Sequence, residues 1–347
     1  MSEPDSKPAS DGGAKPITKA DPKLAHMTSQ WKYTRPLTAC RYDPTGRFVF
    51  TGAEDYLVQR WNLQDDKSVP LAGHESWVRA LACTSDGNTL FSGGYDGRLI
   101  AWPAAAERPQ PTRAIDAHQG WIRAVAVSPD NKLVASCGND GHVRLWNTAD
   151  GKLKFDLAGH DAHVYNVAFH PSGEHVVSCD LKANLKQWDT RDGKLVREFK
   201  AEALHRYDTQ FRADLGGARC IAFNNDGSRL AVGGVTKVTN AFAGVGEAAL
   251  VVIDWQTGKV RQTHAIKESL RLLLWGAAWH ADGYWIGAAG GSSGGFLVFW
   301  KPDEEHEFFR FKLPDTARDL SLAPDGMSAA VAHADMHLRV YRLAAKS

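Results

Sequence analysis

The chain has 347 residues, a formal net charge of +1 and 43% hydrophobic residues, with 12 tryptophans and 32 glycines. That length suits one large repeat domain or two ordinary ones, and the composition is that of a protein folded in water. Near-neutral charge argues against a bulk nucleic-acid or membrane-surface binder, and no apolar run reaches spanning length.

In chain order, residues 1–27 come first, opening MSEPDSKPASDGGAKPITKADPK with no hydrophobic segment. This is not a secretory signal and cannot bury a core, so a flexible tail is expected over 1–27 and a folded unit over 28–347. SQWKYTR (29–35) alternates polar and apolar and predicts a first strand. From there the chain repeats. Short alternating strands such as VRALAC, IRAVAV and VYNVAF each run into a turn: PTG (44–46), SDG (85–87), PDN (129–131), PSG (171–173), NDG (225–227), ADG (281–283) and PDG (324–326). A second strand, a second turn and a third strand follow, the last ending at an aromatic. These aromatics are Trp61, Trp102, Trp146, Trp188, Trp255, Trp300 and Tyr341. Most intervals are 41–45 residues, the length of one four-stranded propeller blade. Alternating strands and Gly-rich turns with almost no helical periodicity predict an all-β fold. The five cysteines are odd in number and none lies in a CxxC pair. They predict buried free thiols in a reducing compartment, and so a cytoplasmic protein.

Three turns carry a further signal. SGGYDGRLIAW (92–102) sets Ser92, Asp96 and Trp102 at offsets that SCGNDGHVRLW (136–146) repeats with Ser136, Asp140 and Trp146. TGAEDYLVQRW (51–61) repeats them again with Thr51, Asp55 and Trp61. A hairpin alone needs no hydroxyl and acid at fixed distances from an aromatic.

With Gly73-His74, Ala117-His118 and Gly159-His160 upstream, and a literal Trp188-Asp189, the chain resembles the WD-repeat β-propellers over about residues 28–347. The resemblance implies seven four-stranded antiparallel blades. It also implies buried tetrads, in which an indole N–H meets a hydroxyl, the hydroxyl an imidazole, and the imidazole a carboxylate. In blade 2 these are His74, Ser92, Asp96 and Trp102; in blade 3, His118, Ser136, Asp140 and Trp146. The Ser-His-Asp sets are then structural, not catalytic. Blade 1 has no histidine, and blade 4 has Lys182 where the acid is expected. Blades 5 and 6 keep only Trp255 and Trp300; blade 7 keeps Asp335 and Tyr341. Blade 7 has three strands before the chain ends, so the N-terminal strand is expected to fill its fourth place and close the ring.

No site for a cofactor or metal is expected. GGSSGG (290–295) has nucleophile-elbow spacing but lies between two strands, and is predicted to be a flexible loop. HDAH (160–163) and HADMH (333–337) lack matching ligands. The resemblance places binding residues around the top mouth of the central channel. Three residues after the tetrad histidine stand Trp77, Trp121 and His163; five after it, Arg79, Arg123 and Tyr165. The equivalents in the other blades are Thr38, Arg219, Trp275 and Arg318. Glu54, Tyr95 and Asn139, each just before the acid, join them. Insertions at 201–215 and 235–248, the second carrying Phe242, are expected beside this mouth. Arg, Trp and Tyr are enriched at binding hot spots.

The expected function is a non-enzymatic protein–protein interaction scaffold, a monomer acting as a domain within a complex. It would take an acidic or phosphorylated peptide segment of a protein partner at the top face, with no membrane and no nucleic acid. One alternative is a lactonase-like propeller hydrolase with metal in the channel, which needs inward carboxylates and histidines where this ring has arginines and aromatics. The other is a chromatin or nucleic-acid reader, which a local basic ring favours and the near-zero net charge opposes.

Overall fold

Blade 2 displays how one repeat folds. Strands a (Val78–Cys83), b (Thr89–Gly94), c (Arg98–Pro103) and d (Arg113–Asp116) form an antiparallel meander. Strands b and c are buried on both faces and d is half exposed, because b and c lie between neighbouring blades and d lies at the rim. In a computed structural model describing residues 19–240 and 245–346, this unit recurs as seven sheets, six of four strands and one of five. The protein is a seven-bladed β-propeller. Among the described residues, no helix is long and apolar enough to cross a membrane.

The a–b turn recurs for a local reason. Its third residue is Gly46, Gly87, Asn131, Gly173, Gly227, Gly283 or Gly326, each with φ between 60° and 88°. Only glycine, and less readily asparagine, takes that left-handed conformation at small cost. Every turn read from the sequence therefore sits where the backbone requires it.

The core is not one mass. Seven clusters of buried side chains each join two adjacent blades. Between blades 1 and 2, Phe48, Phe50 and Leu71 meet Leu90, Ile100 and Trp102. Between blades 7 and 1, Ala332, Leu338 and Val340 meet Val49 and Trp61. The main apolar clusters therefore lie between blades rather than within them.

Closure comes from the N-terminal strand, which pairs antiparallel with strand c of blade 7 (His337–Arg342). It runs His26–Lys32, three residues earlier than the 29–35 read from the sequence. Ala20 and Pro22, ahead of it, are also packed. Ala20 is buried and its N–H donates to Asp282 (3.1 Å), the Asp21 N–H donates to the Leu343 carbonyl (2.7 Å), and Pro22–Leu24 form a single 3-10 turn. Polar composition concealed these backbone contacts.

Blade 5 departs from two expectations. Its phase residue is Ile253, which pairs with Leu230 as Trp102 pairs with Leu90. Trp255 lies two residues beyond, stacked on His170 (5.0 Å) and set edge-on to Phe223 (5.0 Å). The described parts of the insertions are largely strand rather than loop. Residues His205–Asp208 add a fifth strand, and strands b and c lengthen to Arg229–Asn240 and Val245–Asp254. Leu215, Val235 and Val238 give the extension a small core. In blade 6, GGSSGG is a tight hairpin, since Gly290 pairs with Gly295 and Gly291 with Gly294. All five cysteines are free, four buried and Cys83 partly so.

Candidate functional site

The tetrads hold the loops that carry the site. In blade 2, Trp102 Nε1 donates to Ser92 Oγ (2.8 Å), Ser92 meets His74 Nε2 (2.7 Å), and His74 Nδ1 meets Asp96 (3.0 Å). Burial alone would raise the Asp96 carboxyl, but His74 and the Glu75 and Arg98 amides outweigh it and hold it below the usual carboxylate range. Blade 3 repeats the set: Trp146 to Ser136 at 2.9 Å, Ser136 to His118 at 2.8 Å, His118 to Asp140 at 2.9 Å. Each tetrad ties the d–a loop, which bears the histidine, to the b–c turn, which bears the acid.

Blade 4 also has a complete tetrad, which corrects the expectation that it lacks an acid. His160 Nδ1 meets Asp180 Oδ2 (3.1 Å), and Ser178 bridges His160 (2.7 Å) and Trp188 (2.9 Å). Asp180 stands two residues after the serine, where blade 2 has Gly94. A Cβ on Gly94 would lie 2.4 Å from the Asp96 carboxylate and 2.5 Å from His74 Nδ1. That strand position therefore points at the space the carboxylate must fill, and in blade 4 it supplies the carboxylate directly. Lys182, at the usual acid position, instead lies 3.5 Å from Asp214 of the blade 5 insertion.

Blades 1 and 7 build substitutes. In blade 1, Trp61 donates to Thr51 (2.9 Å), and Tyr33, just after the N-terminal strand, donates to Asp55 (2.7 Å) in place of a histidine. Burial and then Asp55 push the Tyr33 hydroxyl up to about 12. In blade 7, Asp335 pairs with Arg339 (2.6 Å), and His333 bonds Tyr341 (3.2 Å) and the Asp315 carbonyl (3.1 Å). His333 occupies the same strand position as Gly94 and Asp180.

The mouth itself is built by one repeated irregularity. In all seven blades the register of strand a slips at one residue: Thr38, Arg79, Arg123, Tyr165, Arg219, Trp275 and Arg318. A β-bulge re-aims the extra side chain. All seven bulge residues line one cavity of about 210 Å³ at the top of the channel, with Glu54, Trp77 and Tyr95.

The other expected residues stand just outside. Trp121 stacks on Tyr95 at 4.0 Å and 2° between planes, and Tyr95 stacks on Trp77 at 5.8 Å. Asn139 Oδ1 accepts from Arg123 Nε (2.8 Å), and His163 Nδ1 lies 2.6 Å from the Asn139 carbonyl. Phe242 lies outside the described residues. The Arg123 guanidinium lies over three rings: Tyr165 at 4.5 Å, Trp121 at 4.6 Å and Tyr95 at 5.3 Å. Arg219 lies over Tyr165 at 4.9 Å and Arg318 over Trp275 at 5.7 Å.

The arginines are braced by neutral groups. Arg79 donates to the Thr38 carbonyl (2.8 Å) and Arg219 to the Ala218 carbonyl (3.0 Å). Among the described residues, no carboxylate lies within ion-pairing distance of Arg79, Arg123, Arg219 or Arg318. Burial draws the Arg219 guanidinium below its ordinary value; Tyr165 opposes this, and Arg123 and Arg79 add to it.

The insertion meets the mouth at Gly217 (φ 125°), where a Cβ would lie 2.8 Å from both Arg219 and the Leu181 carbonyl. Tyr207 and Phe211 on the insertion are more than half exposed. Among the described residues, no three His, Cys, Asp or Glu side chains gather as a metal site.

A family model described as "WD domain, G-beta repeat" matches residues 67–102, 109–147 and 151–189. Each match begins in or just ahead of strand d of one blade and ends at strand c of the next, so the sequence repeat is offset from the blade. The three matches end in blades 2, 3 and 4, which have complete tetrads. The chain is 33% identical over 84 residues to Nuclear distribution protein PAC1 of Arthroderma otae, covering 23% of this chain and 18% of that protein. It is 30% identical over 89 residues to Uncharacterized WD repeat-containing protein C126.01c of Schizosaccharomyces pombe, covering 24% and 23%. It is 37% identical over 67 residues to Transducin beta-like protein 3 of Rattus norvegicus, covering 19% and 8%. Each match spans less than a quarter of the relative's length.

Proposed function

The chain belongs to the WD-repeat family, and from that premise we propose that it is a protein-interaction scaffold whose top mouth captures an acidic or phosphorylated segment of a protein partner. One observation carries this reading. Four of the seven bulge residues around the channel are arginines with no carboxylate partner among the described residues. Guanidinium forks match carboxylate and phosphate oxygens, and a mouth walled by protein screens them less than a convex surface does. Trp77 and Trp121, about two-fifths exposed, offer apolar anchor area beside the charges. Tyr207 and Phe211 would extend one wall.

An array of acidic, phosphoserine-bearing and neutral peptides tests it. The protein should retain the acidic or phosphorylated members. The Arg79→Glu, Arg123→Glu double variant should lose them with a nearly unchanged melting temperature, since neither side chain belongs to a tetrad. Trp279, near the end of strand a of blade 6, lines a cavity among the a–b turns at the opposite face; if the double variant binds as before and Trp279→Ala abolishes capture, the interaction surface is elsewhere.

A further inference from the structure

Beneath the mouth the channel holds a second cavity of about 130 Å³, and Arg79, Arg123 and Arg219 line both. A single water needs only about 10–15 Å³ of such space, so a group of several atoms fits. The lower cavity is also lined by Asn166. Asn166 occupies the position of Ala80 and Ala124 in neighbouring blades, one residue after the bulge. Its side chain is buried, and its amide nitrogen has no acceptor among the described residues. A buried amide donor without an acceptor is costly, and an alanine would remove the cost.

The charges around this donor are equally unspent. A guanidinium carries five N–H donors. Arg79 and Arg219 each use one on a backbone carbonyl, and Arg123 uses two, on Asn139 and the Tyr95 hydroxyl. The carboxylate in this cavity, Asp319, already accepts from the Cys40 and Leu320 amides. Against this one carboxylate the cavity is lined by Arg41, Arg79, Arg123 and Arg219, so positive charge is in excess.

We propose that the channel beneath the mouth binds a small tetrahedral oxyanion of the phosphate type, held by Arg79, Arg123, Arg219 and the side-chain amide of Asn166. This site shares arginines with the partner reading but does not require a partner. The anion takes the free N–H donors, supplies the acceptor Asn166 lacks, and relieves the mutual repulsion of the three guanidinium groups.

The test is titration calorimetry and thermal unfolding with inorganic phosphate, against chloride at matched ionic strength. Saturable one-to-one binding is expected, with a melting temperature that rises with phosphate concentration. Arg219→Gln should weaken binding by about tenfold or more, as losing a charged hydrogen bond does. Arg79→Gln serves the same purpose should Arg219→Gln fail to fold. Asn166→Ala should weaken it several-fold without loss of stability, whereas Arg261→Gln, at the exposed rim, should change nothing. Absence of saturable binding, or equal binding in every variant, overturns the proposal. So does binding of a phosphoserine peptide without binding of inorganic phosphate. If phosphate binds and no acidic peptide is captured, the partner reading fails and this one stands. If peptides bind the protein and Asn166→Ala alike while phosphate does not bind, the reverse holds.

Discussion

At the scale of single residues, the position two after the tetrad serine lets the family network be rewired. Glycine there leaves room for a carboxylate coming from the turn. Aspartate there, as Asp180, supplies the carboxylate itself; histidine there, as His333, supplies the imidazole. Asp180→Ala should therefore strip His160 of its partner and cost about 1–3 kcal/mol. Lys182→Ala should cost well under about 1 kcal/mol, because it removes only a partly exposed ion pair. Denaturant melts of both variants decide the matter, and equal losses would return the acid role to neither residue. His333 adds a pH dependence. Burial, and then the nearby Arg339, draw its imidazole down to about 4. In the unfolded chain it titrates near about 6.5. It is neutral in the fold, so its contribution is complete above about pH 6.5. It is lost as pH falls toward 4, where the unfolded chain takes a proton that the folded chain cannot. The shift corresponds to roughly 3 kcal/mol. Stability measured from pH 7 to pH 4 should fall more steeply in the wild type than in His333→Asn; parallel curves would mean that His333 does not report the change.

At the scale of elements, the N-terminal strand decides whether the ring exists. It covers the edge of blade 7, and it reaches blade 1 as well: Trp31 Nε1 donates to Asp66 (3.1 Å) and Tyr33 donates to Asp55 (2.7 Å). Of the described residues, removing 1–25 takes away the bonds of Ala20 and Asp21, about 1 kcal/mol each, and the small apolar contact of Ala20 with the blade 6–7 cluster, so a modest loss is expected. Removing residues 1–34 should expose an unpaired strand edge and leave the cluster between blades 7 and 1 without its outer wall, giving an aggregating or unfolded chain. Size-exclusion chromatography and melting of the two truncations test this; equal solubility and stability would mean that the ring closes without the strand. What the sequence made legible follows the same logic. Turns that demand positive φ and offsets that demand hydrogen bonds left marks, so blades 2 and 3 were readable to the residue and blades 1 and 4 in part. Blade 5 was not, because Ile253 looks like any strand residue while Trp255, two positions on, imitates the phase mark. The mouth was reached through the family resemblance. A bulge has no residue signature, and nothing in Thr38 or Trp275 alone says that the strand slips there. Asp180 does carry a signal in the sequence: an acid immediately before the b–c turn, two residues after the tetrad serine.

For the whole molecule, the main apolar clusters lie between blades, yet the top face is not uniformly tied down. Through a tetrad, blades 2 and 3 fasten their d–a loop to their b–c turn, and blade 4 fastens its d–a loop to the end of strand b. Blade 6 has no tetrad, and its d–a loop meets its b–c turn through Arg271 and Ser293 instead, the Arg271 N–H donating to Ser293 Oγ (3.0 Å) and the Ser293 N–H to the Arg271 carbonyl (3.3 Å). Gly287 stands where blade 2 has Ser92, and the Trp300 indole donates to the Ala265 carbonyl instead (2.9 Å). In blade 5 the same place is Val232, beside Ile253 rather than an indole. Local opening draws on the segments with the fewest buried bonds. The unpaired parts of the d–a segments entering blades 5 and 6, residues 209–212 and 266–270, should therefore exchange their amide hydrogens faster than residues 72–77 and 117–121. The half of the mouth formed by Trp77, Arg79, Tyr95 and Arg123 would then be rigid, and the half formed by Arg219, Trp275 and Arg318 able to adjust. Hydrogen exchange read by mass spectrometry distinguishes the halves. Equal protection across the four segments would mean that apolar packing alone sets the loops, and that the tetrads add nothing to the rigidity of the face.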